Sequence, residues 1–165
     1  MQILVRTSAK PYNRPHEIDC GTVIVDLQSE NGVAIAVGDS GNGATRYALY
    51  QAANGPMLRR LHGLPSERIL LLSDPDGIRV VYGDRVEKPT TRTKAVGQLA
   101  LGEEGFFAVV GGNGYALPVH LHLAHWQIRD EDINPSHFDW FAQWSLVCAD
   151  GHGSIAKIVD RNHSS

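Results

Sequence analysis

The sequence contains little cysteine, and this excludes several classes of protein. Only two cysteines, Cys20 and Cys148, occur in 165 residues, and they form no Cys-x-x-Cys pair. Zinc ribbons and the disulfide frameworks of small secreted domains need more thiols at closer spacing. We therefore predict two free thiols in a reducing compartment.

Long charged blocks and long apolar runs are also missing. The formal net charge is −3 at pH 7, and no basic block offers the phosphate-binding surface of a nucleic-acid protein. No apolar run is long enough to span a bilayer, and the first residues, MQILVRT, lack the pattern of a secretory signal. These observations predict a cytoplasmic protein with neither a nucleic-acid nor a membrane partner.

Glycine-containing turns are the most abundant structural signal in the sequence. The composition is that of a single globular domain spanning 1–165, with 42% hydrophobic and 20% charged residues. Four turns rich in glycine, asparagine and aspartate lie between apolar, β-branched runs, a pattern that predicts β-hairpins. They occupy residues 29–32, 74–77, 112–114 and 150–153. About nine strands, mostly antiparallel, follow from this pattern.

Three segments are predicted to be helical. The first covers residues 43–53 and is prevented from continuing by the helix-breaking Pro56, and a short further piece covers 57–62. The second covers residues 90–101, whose apolar side chains lie at helical spacing. The third helix begins at Asn134 as N-cap with Pro135 in the first position, and runs through SHFDWFAQW. The predicted fold class is therefore α+β, a mainly antiparallel sheet of β-hairpins with about three helices packed on it.

Three of the eight histidines lie within the segment PVHLHLAHWQ. Side chains alternate between the two faces of a strand, so His120 and His122 are predicted to share one face. By the same parity His125 points to the other face. Two imidazoles on one face are candidate ligands of a divalent metal ion, and a third ligand would come from Asp130, Asp132 or His137.

The spacing of Gly114, His120 and His122 resembles the opening of the cupin metal motif. Cupins place a glutamate a few residues further on, where this sequence has Trp126 and Gln127. With this ligand absent, we predict that the histidines fill a half-wetted strand and hold no metal tightly. No cofactor is predicted, and a weak divalent metal site at the two histidines is the alternative.

The segment GDSGNGAT follows a predicted strand and precedes a predicted helix. Its spacing resembles that of a phosphate-binding loop, but Ala44 stands where that loop has its lysine. Backbone amides at the start of a helix would still favour a small anion. Gly41, Gly43 and Thr45 are therefore predicted as a weak anion site.

All three tryptophans lie close together in the sequence, accompanied by phenylalanines. We predict that Trp126, Trp140, Trp144 and Phe141 form a ligand- or partner-binding region, because exposed aromatic patches mark such sites. The predicted function is that of a binding module for a small molecule or a protein partner. A second copy of the same chain, in a homo-oligomer, is one such partner. The alternative is a metal-assisted, hydrolase-like enzyme that uses His120 and His122 with a nearby carboxylate.

Overall fold

The computed structural model describes residues 10–11, 18–25, 29–30, 32–39, 45–61, 70–71, 78–112, 118–129, 133–149 and 155–161. In these ranges the regular structure consists of strands and a single 3-10 turn, Pro135–His137. The strands are β1 Lys10–Pro11, β2 Val23–Val25, β3 Val33–Asp39, β4 Arg46–Ala52, β5 Gly55–Arg60, β6 Leu70–Leu71, β7 Ile78–Tyr82, β8 Arg85–Val86, β9 Leu99–Gly102, β10 Gly105–Gly112, β11 Val119–His122, β12 Gln127–Arg129, β13 Asp139–Phe141, β14 Trp144–Ala149 and β15 Ile155–Asp160.

Six of these strands close into a barrel. Strands β3, β4 and β5 form one antiparallel meander, and β10, β11 and β12 form another. The two meanders meet at two parallel pairs, β5 with β10 and β12 with β3. Because every strand of the ring has a neighbour on both sides, the ring itself leaves no strand edge open.

The two meanders have the same internal register. In each of them the central pairs align three apolar residues across the three strands. These triplets are Ile35, Leu49 and Leu58 in the first meander and Ala108, Leu121 and Ile128 in the second. The barrel is therefore built from two equivalent halves.

The strand before each meander is equivalent as well. Strand β2 pairs with β3 as β9 pairs with β10. Ahead of each lies a glycine with positive φ: the Gly21 amide donates to the Ala36 carbonyl over 2.7 Å, and the Gly97 amide donates to the Val109 carbonyl over 2.7 Å. One four-stranded unit thus occurs twice, as β2–β5 and as β9–β12.

Apolar side chains fill the barrel and also cover its outside. The interior cluster includes Ile35, Leu49 and Leu121, and smaller clusters around Ala48 and Trp140 cover the outer faces of the two halves. Strands buried on both faces are apolar at nearly every position rather than at every second one. This explains the continuous apolar runs of β3 and β10.

A second sheet, in the order β15–β14–β7, packs against the barrel. Its residues Leu146 and Ile158 belong to the interior cluster, and Ile78 and Val80 of β7 pack against that cluster from the rim. Within the described residues β7 pairs with β14 alone, so its other edge carries no strand.

The α+β prediction is wrong, because the described chain is nearly all strand. The predicted helix 43–53 is largely β4, the piece at 57–62 falls mainly in β5, and the segment 90–101 consists of turns that lead into β9. Pairing on both sides and burial on both faces outweigh the weak helical preference of such segments. No helix within the described residues is long and apolar enough to cross a membrane.

The third predicted helix is correct only at its start. Asn134 caps the 3-10 turn, because its side-chain oxygen accepts a hydrogen bond from the Ser136 amide over 3.1 Å. The turn ends after His137, and the chain continues as β13, which pairs with β8 and β9. Of the aromatic residues that were predicted to share a helix, Trp140 and Phe141 therefore lie on opposite faces of β13, and Trp144 begins β14.

Three of the four predicted turns connect antiparallel neighbours. The turns at 29–32, 112–114 and 150–153 join β2 to β3, β10 to β11 and β14 to β15, although residue 31 and residues 113, 114 and 150–153 themselves lie outside the described ranges. The prediction for 74–77, also outside those ranges, is wrong. Strand β6 pairs with β1 and β2, whereas β7 pairs with β14 in the other sheet.

Candidate functional site

Two tight turns lie side by side at one end of the barrel. Glu103 and Glu104 connect β9 to β10, and residues 123–126 connect β11 to β12. The Leu123 amide donates to the Phe106 carbonyl over 2.9 Å and holds the second turn against β10. His122 contacts the first turn through the Glu104 carbonyl, and the second turn lines an apolar groove.

His120 and His122 share one face of β11, as predicted from their spacing, but that face is buried rather than half-wetted. Only 3% of His120 and 2% of His122 is exposed. In the first half of the barrel the equivalent positions are Ala48 and Tyr50, by the registers of β4 and β11. The fold accepts other side chains at these positions, so the barrel itself does not require imidazoles there.

The hydrogen bond between His122 and the Glu104 backbone defines the tautomer of the imidazole ring. Its Nε2 lies 2.8 Å from the carbonyl oxygen of Glu104. Because a carbonyl can only accept, Nε2 carries the hydrogen, and in a neutral ring Nδ1 then holds a free lone pair. Buried Nδ1 has no hydrogen-bond partner among the described residues. The ring is held in place by stacking on Phe107, with centroids 4.5 Å apart and planes 16° from parallel.

His125 lies beside His122, and the prediction that it points away is wrong. Strand β11 ends at His122, and the chain then turns, so the parity of a strand no longer applies. The ring centroids of the two histidines are 5.0 Å apart and their planes are inclined by 69°. The exposed His125 therefore meets the buried His122 edge to face.

A cavity of about 480 Å³ opens beside the turn between β9 and β10. Its described lining consists of Glu103, Glu104, His137 and Phe138. The Glu104 carboxylate lies 3.1 Å from a guanidinium nitrogen of Arg129 in a partly exposed ion pair. The wall therefore combines carboxylates and an imidazole with an aromatic ring.

His120 lines a separate, smaller cavity of about 160 Å³. Arg92, Thr90 and Trp140 are among its other lining residues. The Arg92 guanidinium donates to the Pro118 carbonyl over 3.3 Å. His120 and His122 thus face different surroundings although they share one face of β11.

Trp126 forms one wall of an apolar groove of about 190 Å³, the Trp126 groove. The other lining residues are Ile78, Val80, Gly105, Phe106, Leu123 and Ala124. Trp126 has a φ of +54°, the only positive value among described residues other than glycine. Its carbonyl accepts the Gly38 amide over 2.9 Å, which fixes the turn to β3.

Gly21 packs directly under the indole of Trp126. A Cβ atom on Gly21 would lie 2.7 Å from Cδ1 of that ring, closer than atoms can approach without movement. Gly21 itself has a φ of +91°. The first half of the barrel therefore sets the position of the indole in the second half.

The other three aromatic residues predicted to bind a ligand lie in the protein interior. Trp140 and Trp144 are buried, and their indole nitrogens donate to the carbonyls of Pro135 and Gly97 over 2.9 and 2.8 Å. Phe141 is also buried, 4.7 Å from the ring of Tyr82. Trp126 is half-buried and lines the apolar groove, whereas the buried Trp140 contributes to the wall of the smaller cavity beside His120.

Sequence reasoning missed the apolar partners of Trp126. Ile78 and Val80 come from β7 and Phe106 from β10, and none of them was singled out as a site residue. The β-branched and aromatic residues of IRVVY are a usable signal for a strand, but the packing of this strand against the Trp126 turn depends on the tertiary fold.

The remaining predicted site residues form no assembled site in the described chain. Thr45 precedes β4 rather than a helix, which removes the helix start on which the anion prediction depended, and Gly41 and Gly43 lie outside the described ranges. Asp130 and Asp132 also lie outside them. No group of three or more His, Cys, Asp or Glu among the described residues is arranged to hold a metal ion.

Scans of the sequence against profiles of known protein families, and searches of curated proteins and of solved structures, return no match. The function is therefore argued from the site alone.

Proposed function

We propose that this protein is a binding module that takes an apolar group of a small molecule or a protein partner into the Trp126 groove. The observation that carries the proposal is the conformation of Trp126, a bulky residue with a φ of +54° on the wall of an open groove. A left-handed conformation costs a non-glycine residue about 1–2 kcal/mol. Strain of this kind concentrates at ligand-binding sites, because the surrounding structure must be built to hold it.

The groove has the chemistry of an apolar contact. Its side chains are aliphatic or aromatic, and Tyr82 extends the aromatic surface through contact with Phe106 at a centroid distance of 5.4 Å. Burying a side chain the size of leucine or phenylalanine contributes about 1.5–3 kcal/mol. One such group anchors a ligand weakly by itself, and it suits the central contact of a larger protein interface.

The test uses the neutral apolar dye N-phenyl-1-naphthylamine and two matched variants. Ala124→Glu places a charge at the exposed rim of the groove, and Ala53→Glu places the same charge in the exposed turn between β4 and β5. We expect saturable dye binding to the wild type and to Ala53→Glu, and about tenfold weaker binding to Ala124→Glu, which corresponds to about 1.4 kcal/mol. Equal binding by both variants, or no saturable binding by the wild type, would refute the proposal.

A cytoplasmic location is part of the same proposal. Neither Cys20 nor Cys148 is part of a disulfide in the structure, as the small number of cysteines predicted. Thiols outside disulfides are typical of proteins in a reducing compartment.

A further inference from the structure

We propose that His122 and His125 bind one late first-row divalent metal ion, with Zn²⁺ as the representative ion, through Nδ1 of His122 and one ring nitrogen of His125. This pair differs from the pair predicted from sequence spacing, since His120 faces another cavity. The proposal is independent of the Trp126 groove, although both sites use the turn between β11 and β12.

The hydrogen bond of His122 is the kind that orients a metal-binding histidine. Histidine ligands of metals commonly donate their second ring N–H to a backbone carbonyl or a carboxylate, which orients the ring and leaves the other nitrogen for the metal. Here Nε2 donates to the Glu104 carbonyl over 2.8 Å. The protein therefore already fixes the tautomer in which Nδ1 is a ligand.

Nδ1 of His122 is unsatisfied among the described residues. A buried polar nitrogen without a hydrogen bond is unfavourable, because it has lost its contact with water and has gained no partner in return. Nδ1 of His122 has no hydrogen-bond partner in the described part of the chain, and only 2% of the residue is exposed. Phe107 stacks on the ring and prevents it from turning away to find a partner. A metal ion bound at Nδ1 would satisfy this lone pair.

The distance between the rings of His122 and His125 suits a shared metal ion. With a metal–nitrogen distance of about 2.1 Å and tetrahedral angles, two imidazoles on one Zn²⁺ have centroids roughly 5 Å apart. The observed centroid distance between His122 and His125 is 5.0 Å, with an inclination of 69° that keeps the rings from stacking. The observed centroid distance therefore matches two ligands of one ion.

The nitrogen ligands of this site determine which metal ions suit it. Imidazole nitrogen favours Zn²⁺, Cu²⁺ and Ni²⁺ over Mg²⁺ and Ca²⁺, which prefer oxygen. Two protein ligands leave coordination positions for water or for an outside ligand. The carboxylate of Glu103 on the neighbouring cavity wall adds negative charge that favours a cation, whereas the charge of Glu104 is offset by its ion pair with Arg129.

The test is calorimetric titration of the wild type with Zn²⁺, together with two single-histidine variants. His125→Gln removes an exposed ligand, so folding is preserved, and His137→Gln removes an exposed histidine that lines the cavity but is no ligand. We expect one Zn²⁺ per chain for the wild type and for His137→Gln, and binding at least about tenfold weaker for His125→Gln. Absence of Zn²⁺ binding by the wild type, or equal loss in the two variants, would overturn the proposal.

Nuclear magnetic resonance of the imidazole nitrogens provides a second, site-resolved measurement. Zn²⁺ should shift the Nδ1 resonance of His122, while Nε2 keeps its proton and its bond to Glu104. A metal-dependent shift at His120 instead would contradict the assignment. This readout does not depend on the groove, so the metal site and the proposed binding function stand or fall separately.

Discussion

Substitution of Gly21 by alanine tests how the two halves of the barrel depend on each other. The substitution has two costs. A φ of +91° costs an alanine about 1–2 kcal/mol, and its Cβ would lie 2.7 Å from Cδ1 of Trp126. The indole is part of a packed turn, so relieving this overlap adds about 1–3 kcal/mol. The expected loss in the free energy of unfolding is therefore about 2–5 kcal/mol.

Gly105 offers a matched control for this substitution. Its φ of +105° imposes a similar backbone cost, but the nearest atom to an added Cβ, that of Ala124, is 4.0 Å away. Gly105→Ala should therefore show the backbone cost alone. Urea denaturation measures both variants, with equal slopes expected because the surface exposed on unfolding stays the same.

The fluorescence of the two variants separates the causes further. Trp140 and Trp144 are buried and Trp126 is half-buried, so a displaced indole at 126 changes the accessibility to an added quencher. We expect this change in Gly21→Ala and not in Gly105→Ala. If the two substitutions cost the same free energy and leave quenching unchanged, then the contact between Gly21 and Trp126 is not the constraint that we describe.

Two further predictions follow from the interior and from the sheet edge. Trp144→Phe removes the donor to the Gly97 carbonyl and should cost about 1–3 kcal/mol more than Trp140→Phe, since the Pro135 carbonyl keeps the bond from the Phe138 amide. Thermal denaturation compares the two variants, and equal costs would contradict the role given to the Trp144 bond. Val81→Lys charges the edge of β7, where this valine is 48% exposed, and should reduce self-association with a change in stability within about 0.5 kcal/mol. Sedimentation equilibrium measures this, and a concentration-independent monomer in the wild type would show that the edge does not pair with a second copy.

Local chemistry predicted the features that depend on a few neighbouring residues. Turn residues between apolar runs predicted three antiparallel connections, and the spacing of His120 and His122 predicted their common face. Asn134 was correctly predicted as a cap, because its side chain needs only the amide of Ser136. Each of these features depends on backbone geometry over a few residues.

The tertiary structure decided which segments became strands. Residues of β4, such as Tyr47 and Tyr50, have acceptable helical spacing at i and i+3, yet β4 pairs with β3 on one side and with β5 on the other. Closing the barrel satisfies the backbone groups of β4 on both edges and buries both of its faces, which a single amphipathic helix does not do. The duplication of the four-stranded unit is likewise a matter of register, and its two copies share few side chains.

The candidate sites combine both kinds of information. The sequence by itself supplied the histidine-rich segment and Trp126, but parity assigned His125 to the wrong side because the strand ends at His122. The Trp126 groove needs β7 and β10 to lie beside the turn, and the bare Nδ1 of His122 exists only because Glu104 and Phe107 hold the ring. Residues distant in sequence make these contacts, and only closure of the barrel and docking of the second sheet bring them together.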